Sequence, residues 1–277
     1  MKKLLFILGS CFVILNAKAQ DFIRLGATHD FASNKVLNIF SFAFNRTEAE
    51  EADVAKYLSF NIHSNIFILP TSEVNIGDGV TSSENNVLVQ FKIGKLYLPT
   101  VQRSSTNPLR TYVWRQSIEF NPSYNSDKEF NERLYFGQLR YGANYVSQVF
   151  SGAVPGSYIT SVHSIALGPF GNFGSRNSKT YDASKFYSTT GAFFEYTFRD
   201  LNQHQEENWV AAISGNYYYI ISDIDAITND NFGGIIKTSL DRRIYKKFSI
   251  GLQYKYGNDN PNYAYVHTLG LSAKISY

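Results

Sequence analysis

The stretch that decides the fold is Asn262-Tyr263-Ala264-Tyr265-Val266-His267-Thr268-Leu269-Gly270-Leu271-Ser272-Ala273-Lys274-Ile275-Ser276-Tyr277. Tyr263, Tyr265, His267, Leu269, Leu271, Ala273, Ile275 and Tyr277 hold the odd positions. From Ala264 onward the even positions are small or polar apart from Val266: Thr268, Gly270, Ser272, Lys274 and Ser276. A strand sends alternate side chains to opposite faces. One face of this strand is therefore greasy, with aromatics near both ends, and the other is small and wet. Such a strand suits a boundary between an apolar medium and a polar interior.

The other end of the chain reads as a targeting segment. Lys2 and Lys3 form a positive region, Leu4 to Leu15 an apolar one, and Ala17-Lys18-Ala19 a small-x-small cleavage site before Gln20. The expected organisation is a signal peptide over 1–19 and one β domain over 20–277. Cleavage there removes the only cysteine, Cys11, which excludes disulfides and thiol chemistry from the remainder. It also removes three lysines, leaving 23 basic residues against the 23 acidic ones. A neutral chain offers nothing to nucleic acid. After residue 20 no apolar run reaches the roughly 18 residues a membrane-crossing helix needs. If this chain crosses a bilayer, it must do so as a closed barrel, because lipid leaves an open strand edge unpaired.

Alternation recurs along the chain. Segments 21–29, 36–46, 57–69, 86–98, 110–121, 132–147, 158–168, 187–199, 208–222, 231–241 and 248–257 read as strands, and the C-terminal strand completes the set. The expectation is an all-β, transmembrane, antiparallel up-and-down β-barrel of about 12 strands, with about 10 or 14 also compatible with the spacing. An even number puts both termini on one side, taken as periplasmic. Pro70–Asn85, Pro122–Asn131 and Pro169–Phe186 then read as extracellular loops. Residues 47–56, 99–109 and 149–157 read as periplasmic turns that are not short, and Glu48 to Lys56 has a helical look.

The aromatic final residue on the greasy face resembles the C-terminal signal by which Gram-negative outer-membrane β-barrels are recognised for insertion. The resemblance implies an outer-membrane location, with outer-membrane lipid and the barrel-assembly machinery as partners, and gives Tyr277 the role of insertion signal. The last hairpin, Phe248 to Tyr277, is also similar to that of the salt-induced outer-membrane protein (YdiY-like) family. That likeness is made of generic alternation and carries no site residue. The soluble alternative is a secreted lipocalin-like barrel, with its apolar faces turned inward.

Chemistry is sparse. The five histidines, His29, His63, His163, His204 and His267, show no metal-ligand spacing, and no cofactor motif is present. His204 reads as a solvated loop residue, and His267 falls on the greasy face. His63-Ser64-Asn65 resembles the His-x-Ser-Asn signature of outer-membrane lipid hydrolases, which implies a lipid-modifying enzyme as the alternative function. Adjacent residues point to opposite faces of a strand, however, so His63 cannot serve Ser64 as a base. His163-Ser164 has the same defect.

The polar face is more informative. Lys92, Arg115, Arg140, Arg199, Lys237, Lys255 and Lys274 are its bases, and Glu119, Glu195 and Asp241 its acids. They describe either an interior filled with ion pairs or a narrow channel favouring a small anionic solute. Lys237, Lys255 and Lys274, on consecutive strands, would form a basic stripe if their heights matched. The expected function is a non-enzymatic barrel, either a small-solute channel or a structural and surface-interaction protein.

Overall fold

The computed structural model describes residues 20–32, 34–45, 66–77, 86–97, 101–103, 110–127, 132–152, 157–178, 185–204, 206–222, 231–245, 247–259 and 264–276. The segment 1–19, the helical reading at 48–56, the triplet His63-Ser64-Asn65 and Tyr277 lie outside them.

Among the described residues thirteen strands run in chain order: β1 (Gln20–Asp30), β2 (Lys35–Asn45), β3 (Ile66–Gly77), β4 (Asn86–Tyr97), β5 (Val101–Arg103), β6 (Arg110–Asp127), β7 (Glu132–Phe150), β8 (Ile159–Ser178), β9 (Lys185–Leu201), β10 (Glu207–Ser222), β11 (Phe232–Tyr245), β12 (Phe248–Asp259) and β13 (Ala264–Ser276). All pairings are antiparallel, and the lateral order is β4-β3-β2-β1-β13-β12-β11-β10-β9-β8-β7-β6. β6 pairs back onto β4, from Asn86↔Asp127 to Tyr97↔Gln116, and this closes the ring. β5 is a three-residue strand laid on β6 beside the seam. Setting β5 aside, twelve of the thirteen strands make the up-and-down barrel. The rim where β1 begins and β13 ends is called the near rim below, and the opposite one the far rim.

Alternation decides which way each strand faces. Along β13, Tyr265, Leu269, Leu271 and Ile275 are exposed outward, whereas Val266 and Thr268 are buried inside. β8, whose faces are ambiguous in sequence, turns Ile165, Leu167 and Phe173 out and Ala166, Phe170 and Asn172 in. Large apolar residues left open on the outside, such as Leu139 on β7 and Ile250 and Leu252 on β12, are the reverse of a soluble barrel. The lipocalin-like alternative is thereby excluded.

Aromatic rings gather at the two rims of this apolar band. The far rim has Tyr124 against Tyr135, Phe232 against Tyr217 and Tyr219, and His267 among Phe31, Tyr254 and Tyr256. His267 therefore stands on the outward face, as expected, and at the far rim. The near rim has Trp114 against Tyr145, and Trp209 under the Arg242 guanidinium at 4.9 Å. Rings with an apolar body and a polar edge suit a membrane–water interface.

Three expectations need correction. The third strand runs on to Gly77 instead of ending at 69, and the part of the expected strand over 57–65 lies outside the described residues. Its ladder to β2 starts at Thr71, so Pro70, which has no N–H to give, falls just outside that ladder. Two proline-led loops are also strand: β6 runs through Pro122 to Asp127, and β8 through Pro169 to Ser178. The β4–β6 ladder breaks between Gln90↔Ser123 and Ile93↔Phe120, and the β7–β8 ladder between Arg140↔Phe170 and Ala143↔Leu167. Each proline sits in such a gap, where its missing donor costs nothing. The far connections that remain are short, with only 128–131 between β6 and β7.

Candidate functional site

The candidate site is the polar interior, and the register arranges it in levels. β6 presents Ser117, Glu119, Asn121, Ser123 and Asn125 inward, all buried, the last three nearest the far rim. Asn121 Nδ2 donates to Gln138 Oε1 at 3.2 Å and Asn172 Nδ2 to Thr189 Oγ1 at 3.2 Å. Beside this amide ladder lies an apolar cluster of Leu134, Ala166, Phe170, Tyr187, Phe193, Tyr218 and Ile220 on β7–β10. Tyr218 lies over Gly233 on β11, where a Cβ would meet its ring carbon Cζ at 2.5 Å. Its hydroxyl then donates to the Asn258 carbonyl on β12 at 3.1 Å. One side chain thus ties three strands together.

At mid-height the charges begin. Arg140 pairs across the ladder with Glu119, and its Nη1 donates to Glu195 Oε1 at 2.8 Å. Its guanidinium carbon rests 3.4 Å from the Phe193 ring centroid, a cation–π seat that fixes the fork between two acids. Glu119 also accepts from Ser117 Oγ at 2.9 Å, and Ser117 Oγ accepts from Asn144 Nδ2 at 3.3 Å. Arg115 is opposite Asn144. The Glu195 side chain is 45% exposed although it points inward, against 17% for Arg140. Water therefore reaches the interior at this level.

The expected three-lysine stripe does not form. Lys237 and Lys255 are direct cross-strand partners, and Lys255 is opposite Thr268. Lys274 lies six residues further along β13, about 20 Å at strand rise, beside Arg24 on β1. Asp241 lies over Gly251, its partner on β12. Lys92 pairs with Leu69 of β3.

The near mouth holds ion pairs that sequence reading missed. Arg199 reaches Glu207 at 3.2 Å, and Arg243 reaches Glu206 at 3.5 Å. Glu207 shares sequence parity with the outward Trp209, but a bulge between them turns it inward. Arg24 was missed because β1 alternates weakly; its pairing with Lys274 follows from ring closure, which no local pattern displays.

Among the described residues the histidines stay out of the interior. His163 faces outward, with Nδ1 hydrogen-bonded to the Tyr196 hydroxyl at 3.0 Å and its ring 5.0 Å from Phe198. Ser164 is on the other face of the same strand, so the two do not meet. His204 is exposed in the β9–β10 turn, where its N–H donates to Asn202 Oδ1 at 2.8 Å.

No protein-family model matches the chain, and no curated protein matches it in sequence. Solved structures similar to it include the translocator domain of autotransporter NalP from Neisseria meningitidis, at a TM-score of 0.34 and 8% identity, covering 100% of this chain and 95% of that one. The outer membrane protein Omp33 of Acinetobacter baumannii matches at a TM-score of 0.35 and 11% identity, covering 94% and 98%. The transport unit of the autotransporter AIDA-I from Escherichia coli matches at 0.33 and 12%, covering 95% and 92%. Scores this low decide nothing about the chain. Its own geometry does: a closed antiparallel ring, apolar outside between two aromatic rims and polar within, defines a transmembrane β-barrel of the outer-membrane type.

Proposed function

We propose that this chain acts in the outer membrane as a non-enzymatic barrel that passes small hydrophilic solutes, with a weak preference for anions. The observation that carries this reading is the exposure of Glu195 inside the ring. A side chain that points into a packed interior would be covered, whereas one that is nearly half exposed borders water. The cations around that water are Arg115, Arg140, Lys237 and Lys255, and the acids are Asp30, Glu119 and Glu195. An excess of fixed positive charge lowers the barrier to anions, most strongly at low salt, where screening is weak. Periplasmic near and extracellular far rims are the orientation that goes with this reading.

Planar-bilayer recording of the refolded protein tests it. The expected outcome is a small conductance whose reversal potential under a potassium chloride gradient shifts toward the chloride potential. Replacing both Lys237 and Lys255 by glutamate should reverse that shift. A silent barrel, or one that prefers cations unmodified, would overturn the reading.

A further inference from the structure

One row on the outer face interrupts the apolar band. It runs along the near rim from Ser161 on β8 through Asp200 on β9, Trp209 on β10 and Arg242 on β11 to Ile250 on β12. Asp200 shares its parity with Phe194, and Arg242 with Ile236, Leu240 and Ile244, all of them exposed outward. The lipid-facing row thus carries one carboxylate and one guanidinium. They stand two strands apart, about 10 Å at the usual spacing, with the indole between them. The row lies within a few residues of the strand ends at Leu201, Glu207 and Tyr245, the level at which a barrel meets lipid headgroups. Arg242 is exposed and rests its guanidinium over the Trp209 ring at 4.9 Å, which fixes the direction of the fork. Asp200 Oδ2 accepts from Asn208 Nδ2 at 3.3 Å, and Asn208 is the extra residue of the bulge before Trp209. Among the described residues neither charge is in an ion pair, and Glu206 and Glu207 of the same mouth are held by Arg243 and Arg199. A charge on the lipid side is unfavourable unless it meets water or a polar headgroup.

We propose that this row is a docking site for the headgroup of an ethanolamine-type phospholipid, with Arg242 on the phosphodiester, Asp200 on the ammonium and the Trp209 indole beneath the bridge between them. A guanidinium fork matches two phosphate oxygens. A carboxylate accepts from a primary ammonium, which has N–H groups to give, whereas a trimethylammonium has none. The separation of the two charges suits a zwitterion of that length once a hydrogen bond is added at each end. A purely anionic headgroup would satisfy Arg242 and be repelled by Asp200. The site stands on the outer wall, so it is independent of whether solutes pass through the interior.

The test uses Trp209 itself. In a Trp114→Phe background it is the only indole left, and lipids brominated on their chains quench it when they stand beside it. The refolded barrel, checked by heat-modifiable gel mobility, is placed in phosphatidylcholine vesicles containing a fixed fraction of brominated phosphatidylethanolamine, phosphatidylglycerol or phosphatidylcholine. Quenching is read for each variant against the same variant in unlabelled lipid. The ethanolamine lipid should associate about threefold or more strongly than the choline lipid, the effect of a charge-assisted hydrogen bond at a wet interface. Asp200→Asn and Arg242→Gln should each return it to the choline value, and Asp200→Asn should strengthen association of the glycerol lipid. Lys247→Gln, in the β11–β12 turn, should leave the ethanolamine preference intact. Equal association of ethanolamine and choline lipids would overturn the site, and so would an ethanolamine preference that survives Asp200→Asn. A parent barrel that prefers the glycerol lipid, or an equal loss with Lys247→Gln, would also overturn it and leave only a diffuse basic rim. Asp200→Asn preserves size and shape, so it decides the matter even if Arg242→Gln does not fold.

Discussion

The wall made by β6–β10 and the wall made by β11–β13 follow the same alternation and use their inner faces differently. The first has strands of 18, 19, 20, 17 and 16 residues, and the second of 14, 12 and 13. Inside the tall wall, amides and hydroxyls bond to one another and Phe170, Tyr187, Phe193 and Tyr218 pack as a core. Inside the low wall, Ser239, Gly251, Gln253, Gly270 and Ser272 alternate with Lys237, Lys255 and Lys274. A bilayer demands only the outer face of a barrel strand. The inner face carries a packed core in one sector and spaced lysines in the other, and on the proposed channel reading the two walls divide cohesion from solute passage.

Four substitutions probe that division, given from the largest expected effect to the smallest. Tyr218→Ala should cost about 3–5 kcal/mol, typical of deleting a buried aromatic, read as a lower urea midpoint for the refolded barrel. Gly191→Ala should cost about 1–3 kcal/mol by crowding, because its Cβ would sit 2.7 Å from Tyr218 Cα on the neighbouring strand; the same urea titration measures it. Glu195→Gln should cost under about 1 kcal/mol, since a pair this exposed is well screened, yet it should shift reversal potentials further toward anions. Gln253→Ala, inside the low wall, should move the midpoint by about 0.5 kcal/mol or less. If Gln253→Ala and Tyr218→Ala cost the same, the distinction between the walls fails.

The low wall was legible in sequence and the tall one only in part. Phe248 to Tyr256 and Leu269 to Ile275 alternate without interruption, so face and strand bounds follow from period alone. In β8, Pro169, Gly171, Asn172 and Gly174 look like a loop by composition. They are strand because long neighbours on both sides supply a ladder, and its gap falls at the proline. Parity placed Arg140, Glu195, Lys237 and Lys255 on one face, but parity carries no height. Height comes from register, and register depends on how each turn is closed. That is why Lys274 left its expected stripe and Glu207 entered the mouth through a bulge.

The seam between β1 and β13 has a consequence for how the barrel comes together. Phe22 pairs with Ser276 and Asp30 with Thr268, so nine cross-strand pairs join residues some 240 to 250 positions apart. Every other strand pair in the ring except β4–β6 is made between chain neighbours, and can zip as soon as its second strand exists. The seam must instead wait for the whole chain, and closing so long a loop carries the largest entropic penalty among the described strand pairings. Contacts of this order are the slow ones in folding. The ring should therefore spend part of its maturation as a curled open sheet with β1 and β13 as bare edges, and sealing that seam should be the slow step that follows zipping of its hairpins.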